Sequence, residues 1–210
     1  MRENTTEDQH RQRSQHLIRE VLGDNYVCLN QENIIVSEDG SVTAIASELI
    51  VNTEKEMISR RKISGIGSGL IDALFNALLY EYSDECVSLT SLKIEEFYIF
   101  VDQADLRRRR LVGNSGTDAL VGTCLTVDNG NDRIIPFRST NRSVIFAMSE
   151  VVLSAIEFFI NSERAMLHLR TCVRDAEGRK RPDLVELYTL KMAELVKNTS
   201  YVESLRGMDE

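Results

Sequence analysis

The sequence predicts an α+β protein: two βββα-like units in a pseudo-twofold repeat, helices packed on antiparallel sheet, and an extra C-terminal helix. Three observations predict it. Two segments with helical apolar spacing, 70–82 and 143–160, each follow a series of short strand-like runs. Turn signals separate those runs, Glu38-Asp39-Gly40 in the first series and Asn129-Gly130 in the second. The two series, 33–82 and 87–160, keep the same order at an offset of about 76 residues, from Gly67 to Ser143 (143 − 67 = 76).

The elements follow in chain order. Residues up to 12 are polar and predict a mobile tail. Residues 14–22 read as a short amphipathic helix with Leu17, Ile18, Val21 and Leu22 on one side and Gly23 as its stop. Short β-type runs cover 25–29 and 33–36; a longer strand covers 41–52, and 55–63 is its partner. Gly65-Ile66-Gly67-Ser68-Gly69 leads into the first strong helix, whose buried face is Ile71, Leu74, Phe75, Leu78 and Leu79. Residues 87–101 read as a strand and 103–115 as a polar loop carrying Arg107-Arg108-Arg109-Arg110. Strands at 117–127 and 133–137 follow. Ser143 is placed to cap the second strong helix, because its hydroxyl can accept from a first-turn amide. A charged, flexible stretch at 174–181 then precedes an amphipathic helix at 183–196, with Leu184, Leu187, Leu190, Met192 and Leu195. The chain divides into a polar tail and short helix (1–22), an α+β domain (23–161) and a helical extension (162–210).

Composition narrows the function. The chain has 210 residues and a net charge of −8, with 25 Lys plus Arg against 33 Asp plus Glu. That balance disfavours nucleic acid and anionic membrane as partners. Trp is absent and aromatics are 6%, which disfavours stacking platforms for single strands. The apolar stretch 144–160 is interrupted by Ser149, Glu150, Ser154 and Glu157, so it is not expected to span a membrane. Cys28, Cys86, Cys124 and Cys172 lie far apart with no CxxC, the pattern of reduced thiols in a cytoplasmic protein. His10, His16 and His168 neighbour no nucleophile motif and form no HxH or HxxxH, so no catalytic residue, metal or cofactor is expected.

The glycine-rich segment before the first helix has two readings. It lacks the Lys-Ser/Thr end of a phosphate loop and does not match a dinucleotide fingerprint. Its place between strand and helix still suits an anion, since helix N-terminal amides are free and glycine admits close approach. The other reading is a tight turn needing positive φ. Arg138 and Arg142 precede the second helix and suit an acidic ligand, a partner subunit or, as the ordinary case, plain solvation.

Four segments, in order, resemble the C-terminal regulatory domain of the alpha-isopropylmalate synthase and citramalate synthase family. Gly67-Ser68-Gly69-Leu70-Ile71-Asp72-Ala73-Leu74 is similar to its G-x-G-P-V-D-A-L signature. Residues 87–97 resemble its V-x-L-x-x-Y strand, Gly116-Thr117-Asp118-Ala119 its G-T-D-A segment, and Ser143 to Met148 the start of its second helix. The resemblance covers roughly 42–160. It implies two βββα units, a homodimer, and a small amino acid or 2-oxo acid effector bound at Gly67, Ser68, Gly69, Leu70, Ile71, Asp72, Ala73, Thr117, Asp118, Ala119, Arg142 and Ser143. It further implies a free-standing regulatory chain, not an enzyme by itself, with a catalytic synthase as partner. The family's metal-binding barrel is absent. Leu70 stands where the family has proline, and Ser143 where it has the capping aspartate. The alternatives are a purely structural dimerisation module, or part of an active acyltransferase.

Overall fold

The computed structural model describes residues 5–53, 55–101, 120–130 and 133–196. In chain order these form α1 (Thr5–Leu22), β1 (Cys28–Asp39), β2 (Val42–Asn52), β3 (Met57–Gly67), α2 (Leu70–Tyr82), β4 (Lys93–Val101), β5 (Val121–Asp128), β6 (Ile134–Asn141), α3 (Val144–Gly178) and α4 (Pro182–Val196). The architecture is α+β with two βββα units, as the sequence predicts. Each unit has its own three-stranded antiparallel sheet, ordered β1-β2-β3 and β4-β5-β6. Leu70 to Val144 and Gly67 to Asn141 are each separated by 74 residues (144 − 70 and 141 − 67), so the structural offset is 74 rather than 76.

Helix α3 lies at the centre. It packs on β5 and β6, on β1, and on α1, α2 and α4. Phe137 of β6 meets Phe158 and Phe159 edge-on or tilted, at 5.7 and 6.1 Å between ring centroids. Leu74 and Leu78 of α2 and Ile156 and Phe159 of α3 are fully buried in one continuous core. Burial of each such side chain contributes about 1.5–3 kcal/mol. Among the described residues, α3 is the one helix long and apolar enough to cross a membrane by length and composition, and 61% of that apolar window is buried in this fold.

Polar residues of α3 hold the connecting segments onto it. The Asn161 side chain, wholly buried, accepts from Val27 N at 2.9 Å and donates to Val27 O at 2.7 Å. Glu157 accepts from the Tyr26 hydroxyl at 3.0 Å and from Leu29 N at 3.1 Å. Glu163 accepts from Val87 N, Ser88 N and the Ser88 hydroxyl.

Several boundaries differ from the sequence reading, each for a physical reason. Helix α1 starts at Thr5, within the expected mobile tail. Its early contacts are polar and escape an apolar periodicity: Asp8 pairs with Arg138 at 3.3 Å, and the Arg11 guanidinium lies 5.5 Å from the Phe137 ring centroid. The two short runs at 25–29 and 33–36 are one strand, β1, whose register shifts between Gln31 and Asn33. Val87–Ser91 is a 3-10 turn, not strand, and its first amides donate to Glu163. Helix α3 does not stop at 160. It continues through the supposedly flexible charged stretch to Gly178, burying Met166, Leu169 and Ala176, and Lys180 turns the chain at φ 55°. The predicted Arg107–Arg110 run lies outside the described residues.

Candidate functional site

The candidate site is the junction where β3 runs into α2. Gly65, Ile66 and Gly67 belong to β3, with Gly65 paired to Ile45 and Gly67 to Thr43. Their glycines serve a close approach between strand and helix. A methyl group at Gly65 would meet Ala73 O and, at 2.7 Å, Ala77 Cβ; at Gly67 it would meet Ala73 N and the Asp72 carbonyl carbon and carboxylate. The turn itself needs no left-handed residue. Gly69 sits at φ −171° and ψ 175°, extended backbone open to any residue, and a methyl group there would touch nothing within 4 Å.

Side chains organise the junction on its outer side. Asp72 Oδ2 accepts from Ser68 N at 2.9 Å and from Ser68 Oγ at 3.3 Å. Asn76 Nδ2 donates to Ile66 O at 3.2 Å and to Asp72 Oδ1 at 3.4 Å. Ser68 and Asn76 are exposed, while Gly67, Gly69 and Asp72 are half-buried. Leu70, Ile71 and Ala73 point the other way, into the core. Gly69 occupies the N-cap of α2 with no side-chain cap.

The second junction, between β6 and α3, is closed. Ser143 caps α3 by accepting from Phe146 N at 3.4 Å, as its sequence position predicts. Asn141 Oδ1 accepts from Ser143 N at 3.1 Å. Glu150 accepts from Ser139 Oγ at 2.6 Å and Asn141 Nδ2 at 2.8 Å. Arg142 is exposed. Thr117, Asp118 and Ala119 lie outside the described residues.

Asn76 and Glu150 were not singled out from sequence. They occupy equivalent positions 74 apart, and each ties the second turn of its helix back to the last strand of its own unit. Register at an offset of 74 would have paired them. Among the described residues, no group of three or more His, Cys, Asp or Glu side chains is placed to hold a metal ion. A surface groove at the α3–α4 hairpin, lined by Glu177, Arg181, Val185 and Leu190 among others, shares no residue with either junction.

The fold and site together define a doubled βββα protein with one uncapped and one capped strand–helix junction. No model of a known protein family matches the chain, and no curated protein matches it.

Proposed function

We propose that this chain is a non-catalytic binding and dimerisation module for a small amino acid or 2-oxo acid, similar to the feedback-regulatory domain of alpha-isopropylmalate synthase. The observation that carries the reading is the difference between the two junctions. The amides opening α3 have the Ser143 hydroxyl as acceptor, whereas α2 opens at Gly69 with no side-chain cap. First-turn amides and the helix dipole favour a carboxylate there. The open space beside Gly69 admits it. Asp72 Oδ1 stands in the same first turn and suits the ammonium group of a zwitterion. A 2-oxo acid would use the amides alone. Leu70, Ile71 and Ala73 support the junction from the core side rather than touching the ligand's side chain.

Binding would act on a partner, a synthase in this reading, through differential affinity for two arrangements of a dimer. The same reading places the acidic chain and its four free cysteines in the cytoplasm. A second reading, dimerisation with no ligand, is favoured by the mutual hydrogen bonding of Ser68, Asp72 and Asn76. Isothermal titration with branched-chain amino acids and their 2-oxo acids separates the two. Saturable binding that weakens in Asp72→Asn for the amino acid, but not for the oxo acid, supports the ligand site. Absence of binding supports the structural reading.

A further inference from the structure

We propose that the cleft between the end of α1 and the middle of α3 binds a short aliphatic carboxylate that carries no ammonium group. This site shares no residue with the start of α2 and goes beyond the function proposed there.

The cleft opens where the chain leaves α1. Val21 and Leu22 close that helix, and the 3-10 turn Gly23–Asn25 carries the chain away from it. Arg164, Leu167 and His168 of α3 form the facing wall. The space between them has a volume of about 360 Å³. Small-molecule sites ordinarily occupy roughly 300–1,000 Å³ and combine apolar walls with a few placed polar groups. This lining is divided in that way. Val21, Leu22 and Leu167 are aliphatic, and Leu167 is 43% exposed. Asn25, Arg164 and His168 are polar, and none of the six described residues that line the cleft is acidic.

Arg164 and His168 stand one helical turn apart, on one face of α3. Among the described residues, the Arg164 guanidinium makes one long hydrogen bond, from Nη2 to Asn25 O at 3.5 Å. A backbone carbonyl does not neutralise that charge. The acids adjacent in sequence are committed elsewhere. Asp24 pairs with Lys55 at 2.6 Å, and Glu163, which is buried, accepts from the amides of Val87 and Ser88. His168 is tied one turn further along α3, where Cys172 Sγ lies 3.6 Å from its Nε2. With the thiol donating to Nε2, the neutral ring carries its own proton on Nδ1 and has it to give. A guanidinium and an imidazole N–H one turn apart suit the two oxygens of one carboxylate.

The lining also selects against other ligands. The ammonium of a zwitterion would stand beside Arg164 with no carboxylate in the lining to receive it. An inorganic anion would leave the aliphatic walls uncovered. A carboxylate with an aliphatic tail uses both halves of the cleft, each buried methylene strengthening binding about fourfold.

The test is an NMR titration of the full chain that follows the ring C–H signals of His168, assigned by their loss in His168→Gln. Hexanoate is expected to shift them saturably. Acetate, with the charge but no tail, is expected to bind about tenfold or more weakly. Hexylammonium, with the tail but the opposite charge, is expected to leave the signals unmoved. Arg164→Gln is expected to weaken hexanoate binding by about tenfold at an unchanged melting temperature, since Arg164 is exposed. Leu167→Ser is expected to narrow the gap between hexanoate and acetate. Gly69→Val is expected to bind hexanoate as wild type does. An unmoved His168, an equal response to acetate or to hexylammonium, full affinity in Arg164→Gln, or an unchanged gap in Leu167→Ser would overturn the proposal. Loss of the response in Gly69→Val would overturn it by moving the ligand to the start of α2.

Discussion

Substituting alanine at Gly65, Gly67 and Gly69 distinguishes glycines that admit a helix from one that leaves room for a ligand. A methyl group at Gly67 collides with backbone atoms of α2, Ala73 N and the Asp72 carbonyl carbon, which cannot swing away as a side-chain tip can. At Gly65 it meets Ala73 O and Ala77 Cβ. Relief requires α2 to lift from β3, and overpacking of this kind costs about 1–3 kcal/mol. For a chain of this length each kcal/mol lowers Tm by about 2–4 °C. Gly69→Ala meets nothing and keeps an allowed backbone. Its weaker N-cap preference and its reduced unfolded-state entropy are each worth roughly 0.5–1 kcal/mol and oppose one another. Differential scanning calorimetry should therefore show Gly65→Ala and Gly67→Ala melting several degrees below wild type, with Gly69→Ala close to it. Wild-type Tm for Gly67→Ala, or a large loss for Gly69→Ala, would refute this assignment of the glycines.

Asn161→Ala should destabilise by about 2–4 kcal/mol in urea melts, because it leaves both Val27 N and Val27 O buried without their partner. Glu157 is held above the ordinary carboxylate range, first by burial, with hydrogen bonds from Leu29 and Tyr26 opposing. A raised folded pKa means the native state keeps this proton after the unfolded chain has released it. The contribution is full below the unfolded value of about 4.3 and is lost as pH rises through the folded one. The stability of wild type relative to Glu157→Gln should accordingly fall with rising pH across that window, and a flat difference would contradict it. Burial pushes the Cys86 thiol up to about 12, and Cys124 is also buried, while Cys28 and Cys172 are half-exposed. A thiol reagent at pH 8 should label Cys28 and Cys172 in the native protein and all four cysteines in denaturant, as read by mass spectrometry.

Much of this fold is legible because periodicity reports burial. Helix α2 matches its predicted span because its apolar residues repeat on one face. The Gly40 and Gly130 turns were legible from composition, and both take positive φ, 62° and 79°. What periodicity missed is polar. The start of α1 packs through Asp8 and Arg11, and the second half of α3 carries charges on an outer face while Met166 and Leu169 remain inside. The glycine motif was read as a loop because its local pattern has no side chains to alternate. Only the close approach to Ala73 and Ala77, which lie 8 and 12 residues beyond Gly65 in the sequence, reveals its purpose. At the site, the sequence pointed to the free amides of the helix start, to the capping Ser143 and to Ile71 on the buried face, but the motif resemblance, which carries no direction, counted Leu70, Ile71 and Ala73 among the effector contacts although all three turn inward.

The central claim is that the open start of α2 binds a small carboxylate-bearing ligand. Its most direct test is a thermal-shift titration of the wild-type chain with leucine, isoleucine, valine and their 2-oxo acids, repeated with Gly69→Val to fill the space beside the helix. The account predicts saturable stabilisation by at least one of these compounds, approaching about 2.7 kcal/mol at a hundredfold excess over Kd, and its loss in a Gly69→Val variant that remains folded. No shift with any compound, or an equal shift in Gly69→Val, would contradict it.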